Sequence, residues 1–356
     1  MSTRQEQNSG TRDVSDAHRF DLARLEDYML SHVEGFRAPL SVRQFKGGQS
    51  NPTYLLESPS GKYVLRRKPP GQLLRSAHAV DREFRVISSL YAAGFPVPRP
   101  LALCGDDEVV GTMFFIMEFV EGRIFWDLDL PECDPDERSA LYDSMNWTIA
   151  SLHAFDFAKL GLGEFGRPGN YFERQISRWS RQYVASETSK IDAMDRLMAW
   201  LPAHIPTDDA STVVHGDFRL DNLIFHPTEA RVIAVLDWEL STIGHPLGDF
   251  TYHLMSWQMP KIGIGSTGLV GKDLAALGIP SEDEYVSRYC ERTGRVDGIP
   301  DRNFYAAYNF FRLAAILQGI AGRVRDGTAS SAHAERAIQA VEPLATIGWE
   351  FAQRLN

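Results

Sequence analysis

The run His215-Gly216-Asp217-Phe218-Arg219-Leu220-Asp221-Asn222 sets a carboxylate two positions after a histidine and a carboxamide five positions after that carboxylate. A second carboxylate, Asp237, closes the apolar run Val232-Ile233-Ala234-Val235-Leu236, which reads as a buried strand. Oxygen groups of these types are what phosphoryl transfer needs around a phosphate-bound Mg²⁺ and the hydroxyl being phosphorylated. Asp217 is placed to accept a proton from a hydroxyl. Asn222 and Asp237 offer the hard oxygen ligands that Mg²⁺ takes when it sits on phosphates. Phosphoryl transfer to a hydroxyl is the reaction implied.

Such a reaction also needs groups that hold the phosphates. Gly47-Gly48-Gln49-Ser50-Asn51 lies between two expected strands. Consecutive glycines let backbone amides approach phosphate closely, and Ser50 and Asn51 add donors, so Gly48, Ser50 and Asn51 are candidates for nucleotide binding. Tyr63-Val64-Leu65-Arg66-Arg67-Lys68 would deliver a cation. Strand alternation places Arg66 and Lys68 on one face and Arg67 on the other, and Arg66 is the preferred phosphate partner. A cation held in place needs an anion. Glu83, near the start of the helix that follows, is the chosen partner, with Asp81 the competitor as a helix-start acid.

The elements that position these groups follow from periodicity. Residues 20–33 carry Leu22, Leu25, Tyr28 and Met29 at helical spacing. Residues 41–45, 53–57 and 62–67 read as short strands, 81–93 as a helix ended by Gly94 and the prolines 96 and 98, and 101–103 and 112–120 as two more strands. From about Pro135 the pattern turns helical, with Leu141, Met145, Ile149 and Leu152 on one face.

Composition bounds the alternatives. A chain of 356 residues suggests two lobes, and a net charge of −10 argues against nucleic acid as the main partner. Cys104, Cys133 and Cys290 are scattered, with no metal-type or disulfide-type spacing. The N-terminus lacks a signal-type apolar stretch and no apolar run is long enough to span a bilayer, so a cytoplasmic protein with no membrane partner is expected. Residues 1–17 are polar and expected to be disordered. His215, His226, His245 and His253 raise a metal-hydrolase reading. None forms a helical H-x-x-x-H pair, and His226 and His245, each before a proline, look like turn residues.

Protein kinases carry H-R-D-x-x-x-x-N followed by a metal-binding Asp. With Gly216 in place of Arg and the later Leu236-Asp237-Trp238-Glu239, this chain instead resembles the aminoglycoside phosphotransferase and choline kinase superfamily of small-molecule kinases. More narrowly, Tyr63 to Gly71, Asp81-Arg82-Glu83-Phe84, Phe218 to Phe225, Leu236 to Thr242 and Phe310 to Gly319 resemble kinase-like domains associated with acyl-CoA dehydrogenases. The resemblance implies an α+β, bilobal, protein-kinase-like fold with a small β-rich N-lobe holding one helix (residues 18–121) and a larger helical C-lobe (122–356). It implies ATP and Mg²⁺ as cofactors, and Glu83 pairing with Arg66. It also implies a hinge at residues 114–122, where Glu118 and Val120 supply backbone groups to adenine, and Asp249 as a structural organiser of the catalytic loop. Glu239 would support the site or reach the metal.

The acceptor implied is a small-molecule hydroxyl, plausibly on a 4-hydroxyacyl-CoA, with the chain acting as a stand-alone form. An aminoglycoside is the alternative, and a non-catalytic nucleotide-binding module the alternative of another class. From Tyr252 onward eleven acids balance eleven Lys and Arg residues, which does not suit a polycation. Arg312 and Arg323, eleven residues apart, would share one helix face and offer cations to CoA. The oligomeric state is not legible.

Overall fold

The N-terminal strands form a single antiparallel sheet. The computed structural model describes residues 9–46, 51–69, 79–260, 268–325 and 332–354, the side chains of 332–337 excepted. The sheet order is β1 (Thr11–Arg12), β2 (Ser41–Phe45), β3 (Thr53–Ser58), β4 (Gly61–Arg67), β6 (Phe114–Glu118), β5 (Pro100–Cys104). Helix Leu22–His32 starts where Asp21 accepts the amides of Ala23 and Arg24. It buries Leu25 and Met29 in a cluster with Tyr54, Leu56, Leu65, Phe114 and Ile116. Each such side chain contributes roughly 1.5–3 kcal/mol when taken out of water. Helix Val80–Ala92 carries a second apolar stripe, Val86, Ile87 and Leu90, all buried.

The polar N-terminal stretch departs from the expected disorder over its second half. Thr11 and Arg12 pair with Phe45 and Gln44, and Arg43 binds Thr11 Oγ1 at 2.9 Å and Asp13 Oδ1 at 3.1 Å. A sheet edge and a cation recruit a segment too polar to fold alone.

The chain divides into two compact units. One holds Met1–Trp126, Ala158–Gly163 and Leu220–Ser241; the other holds Asp127–Phe157, Glu164–Arg219 and Thr242–Asn356. The first therefore takes in the hairpin of β8 (Leu223–Phe225) and β9 (Val232–Val235) beside the sheet. The second is helical, with one strand pair, β7 (Thr212–Val214) and β10 (Thr242–Gly244). In helix Pro135–His153 the stripe Leu141, Met145, Ile149 and Leu152 is fully buried, as the periodicity requires. Helix Arg302–Arg325 is continuous despite Gly319 and Gly322. A Cβ at Gly322 would lie 2.7 Å from Ser186 Cβ, so the glycine permits close packing on helix Tyr171–Ser186. No helix among the described residues is long and apolar enough to cross a membrane.

Candidate active site

In the sheet-containing unit, the antiparallel pairing of β8 with β9 matches Leu223 with Val235. The next position outward joins Asn222 and Leu236, whose amide donates to Asn222 O at 2.8 Å. Hairpin register thus sets Asn222 opposite Leu236, the residue that precedes Asp237. Asp237 ends the strand with φ 64° and ψ 65°, a left-handed conformation that costs most L-residues roughly 1–2 kcal/mol and that Asp tolerates better than most. Trp238 locks the turn by donating Nε1–H to Val235 O at 2.9 Å and packing edge-on against Phe95.

Arg66 projects from β4 into this turn. Its Nε donates to Glu83 Oε2 at 2.8 Å, its Nη2 bonds Asp237 Oδ1, and Glu239 Oε2 is 3.6 Å away. The guanidinium is only 6% exposed and Glu83 2%, so this is a buried network in which each charge depends on the others. Burial disfavours the Arg66 cation, but Glu83, Asp237 and Glu239 together overcome it and push its pKa up. Asn51 is also buried and donates Nδ2–H to Glu239 Oε2 at 3.2 Å, which commits it to the carboxylate cluster. Gly48 and Ser50 lie outside the described residues.

The neighbouring cations divide as the strand alternation requires. Arg67, on the opposite face, donates to Tyr54 Oη at 3.1 Å, Val110 O at 2.7 Å and His18 O at 2.9 Å, a wholly structural set. Lys68 stands 3.7 Å from Asp81, a half-exposed pair at the helix start. At the expected hinge, Glu118 N–H is committed to Arg99 O at 2.9 Å and Phe119 N–H reaches Lys62 O at 3.4 Å.

Asp217 belongs to the helical unit, where helix Pro246–Gln258 holds its loop. Asp249 accepts the amides of His215 at 2.7 Å and Gly216 at 2.8 Å, and lies 3.3 Å from His153 Nε2. Burial alone would raise the Asp249 carboxyl; hydrogen bonding and charge from His153 and His215 reverse this and lower it. Gly216 has φ 85°, which explains why a glycine stands between His215 and Asp217. His215 Nδ1 accepts the Asp217 amide at 3.2 Å. The organising contacts expected of Asp249 are present in this geometry, and His215 braces the loop beside it.

Two groups meet the Asp217 carboxylate and a third holds the backbone beside it. Tyr252 donates its hydroxyl to Asp217 Oδ1 at 2.8 Å, Arg219 Nε is 3.5 Å from the same oxygen, and Arg312 donates to Gly216 O at 2.6 Å. Arg312 corrects an expectation. It is not a solvated cation awaiting CoA but is 5% exposed, over the rings of Tyr252 and Trp179. Its helix is buried nearly all round, so the face it shares with the exposed Arg323 runs from core to surface. His226 and His245 cap local turns, accepting the amides of Glu229 at 3.1 Å and Leu247 at 3.2 Å.

These groups can be set beside known proteins. A model of the phosphotransferase enzyme family matches residues 41–265. A candidate aminoglycoside phosphotransferase of Ralstonia eutropha JMP134 is 54% identical, with a TM-score of 0.86 over 94% of this chain and 99% of that one. The chain belongs to the phosphotransferase enzyme family. It is a transferase with the kinase-like fold of that family, a sheet-bearing lobe and a helical one. Aminoglycoside phosphotransferase APH(4)-Ia, in a ternary complex with AMP-PNP and hygromycin B, shares the fold at 16% identity and a TM-score of 0.58, covering 91% of this chain and 98% of that one. Chicken (Gallus gallus) acyl-CoA dehydrogenase family member 11 is 46% identical over 353 residues, 98% of this chain. This phosphotransferase spans only 45% of the length of that relative.

Proposed function

We propose that this phosphotransferase moves the γ-phosphoryl group of ATP to a hydroxyl of a small molecule, and that the acceptor is a hydroxyacyl-CoA of the 4-hydroxy type. The observation that carries the reaction is the buried Arg66 guanidinium held between Glu83 and the strained Asp237. Such a cation, fixed by carboxylates at a hairpin end, suits the phosphates of a nucleotide. Arg66 binds them and Glu83 positions Arg66. Glu118 O and Val120 N–H serve the adenine, the Glu118 amide being engaged elsewhere. The bound AMP-PNP of APH(4)-Ia supports a nucleotide in this fold.

Asn222, Asp237 and Glu239 carry oxygen donors of the kind Mg²⁺ prefers, and Asn222 and Asp237 would be its first ligands. Mg²⁺, when bound, neutralises charge on the β- and γ-phosphate oxygens. In the structure Asp237 is engaged by Arg66, so nucleotide binding exchanges that contact for phosphate. Asp217 then accepts the proton of the acceptor hydroxyl as its oxygen bonds to phosphorus and the bond to ADP breaks.

The acyl-CoA class rests on the relatedness to acyl-CoA dehydrogenase family member 11 and on the even balance of acids and bases after Tyr252. An aminoglycoside acceptor is the second reading, favoured by the designation of the Ralstonia protein. A panel of hydroxyl acceptors with γ-labelled ATP separates them. Labelled product is expected from 4-hydroxyacyl-CoA and not from kanamycin-type compounds. Efficient labelling of an aminoglycoside with none of any hydroxyacyl-CoA would contradict the acceptor while leaving the reaction class intact.

A further inference from the structure

Helix Pro246–Gln258 grips the Asp217 loop twice. Asp249 takes the loop amides, and three residues on, along the same helix face, Tyr252 meets the Asp217 side chain. The terminal torsion of an aspartate is broad, so a carboxylate on a loop has no preferred plane unless something fixes it. Here one oxygen, Oδ1, takes the Tyr252 hydroxyl at 2.8 Å and lies 3.5 Å from Arg219 Nε.

Tyr252 is itself anchored. The Arg312 guanidinium lies 5.0 Å from its ring centroid and binds Gly216 O, joining the tyrosine to the backbone it serves. Burial, and then the Asp217 charge, push the Tyr252 hydroxyl pKa well up, so it stays protonated and acts as donor. Among the described residues, the charged and titratable groups facing Asp217 include Tyr252 and Arg219, with Arg312 behind them.

We propose that Tyr252 is a positioning residue for phosphoryl transfer: its hydroxyl fixes the plane of the Asp217 carboxylate, so that the other oxygen faces the acceptor hydroxyl whose proton it accepts. This deepens the proposed function and rests on Asp217 being the base. The step balances simply. The acceptor O–H breaks and its proton goes to Asp217, the acceptor oxygen bonds to phosphorus, and ADP leaves with the electrons of the broken P–O bond.

The test is Tyr252→Phe in the full chain, which keeps the ring beneath Arg312 and deletes only the donor. Turnover of MgATP is read with water and with 4-hydroxyacyl-CoA as acceptors, beside Asp217→Asn. A hydrogen bond to a charged group predicts a fall in kcat of about 10-fold with KM for ATP within about two-fold. The acidic limb of the kcat profile moves to higher pH, because the charged carboxylate has lost a donor. A second protein carrying 3-fluorotyrosine at position 252, a stronger donor of nearly the same shape, moves that limb the other way. Wild-type kcat and an unmoved limb in Tyr252→Phe, with Asp217→Asn inactive, overturn the role of Tyr252 and leave Asp217 as base. A lower kcat with an unmoved limb and a raised KM for ATP assigns Tyr252 to the fold alone and also overturns it. Undiminished turnover in Asp217→Asn removes the base and this proposal together.

Discussion

The groups proposed to bind phosphate and the proposed base are held in opposite ways. Around Arg66 the structure balances full charges, one guanidinium against Glu83, Asp237 and Glu239, all at least two-thirds buried. Around Asp217 it uses a neutral hydroxyl, a half-exposed arginine and backbone clamps. The first arrangement is closed by its own ions, and a nucleotide with its metal is the proposed competitor for Arg66 and Asp237. The second is set before any acceptor arrives. A buried ion network suits a part that responds to a polyanion, whereas hydrogen bonds of graded strength suit a part whose orientation must not change.

Several substitutions break or sharpen this contrast. Asp237→Ala is expected to abolish turnover, because it removes the proposed metal ligand and leaves Arg66 with one fewer carboxylate; a steady-state assay with MgATP reads it. Asp217→Asn keeps the shape and removes the base, so turnover should fall about 10²–10⁴-fold with nucleotide affinity nearly unchanged. Glu83→Ala strips a buried cation of its most deeply buried partner. Chemical denaturation should register a loss of about 3–5 kcal/mol, and KM for ATP should rise. A variant as stable as wild type would show that Glu83 does not hold Arg66.

The smallest effect is on pH. Burial lowers His245 and His253 from the ordinary imidazole value to about 4, so each is neutral in the fold where the unfolded chain is protonated. Between about pH 6.5 and about pH 4 the unfolded state therefore binds more protons, and stability must fall as pH falls through that window. His253→Gln should flatten the slope of the thermal midpoint against pH across it; an unchanged slope would assign the dependence elsewhere.

Much of this was readable in the sequence, for identifiable reasons. Strands β2 to β6 showed themselves as short apolar runs between turn residues, and the helices Leu22–His32 and Val80–Ala92 by an apolar stripe at helical spacing. Arg66, Glu83, Asn222 and Asp237 stood out because chemistry fixes both their types and their order along the chain. Tyr252 gave no such sign. It is one tyrosine in an apolar helix, and only its position three residues after Asp249, itself assigned to the loop, pointed to it. Arg312 was misread because spacing defines a helix face without saying whether that face is buried. The surrounding Phe310, Phe311, Ala314 and Ala315, apolar on every side, held the answer. The strand Thr11–Arg12 was missed because two polar residues carry no period, and their order comes from Phe45, Gln44 and Arg43.

The division of labour is tested most directly by nucleotide affinity, measured with and without Mg²⁺ in wild type, Asp217→Asn and Asp237→Ala. The account predicts that Mg²⁺ tightens ATP binding equally in wild type and Asp217→Asn, and that Asp237→Ala loses this gain. Loss of the Mg²⁺ effect in Asp217→Asn, with Asp237→Ala behaving as wild type, would reverse the two roles and contradict the account.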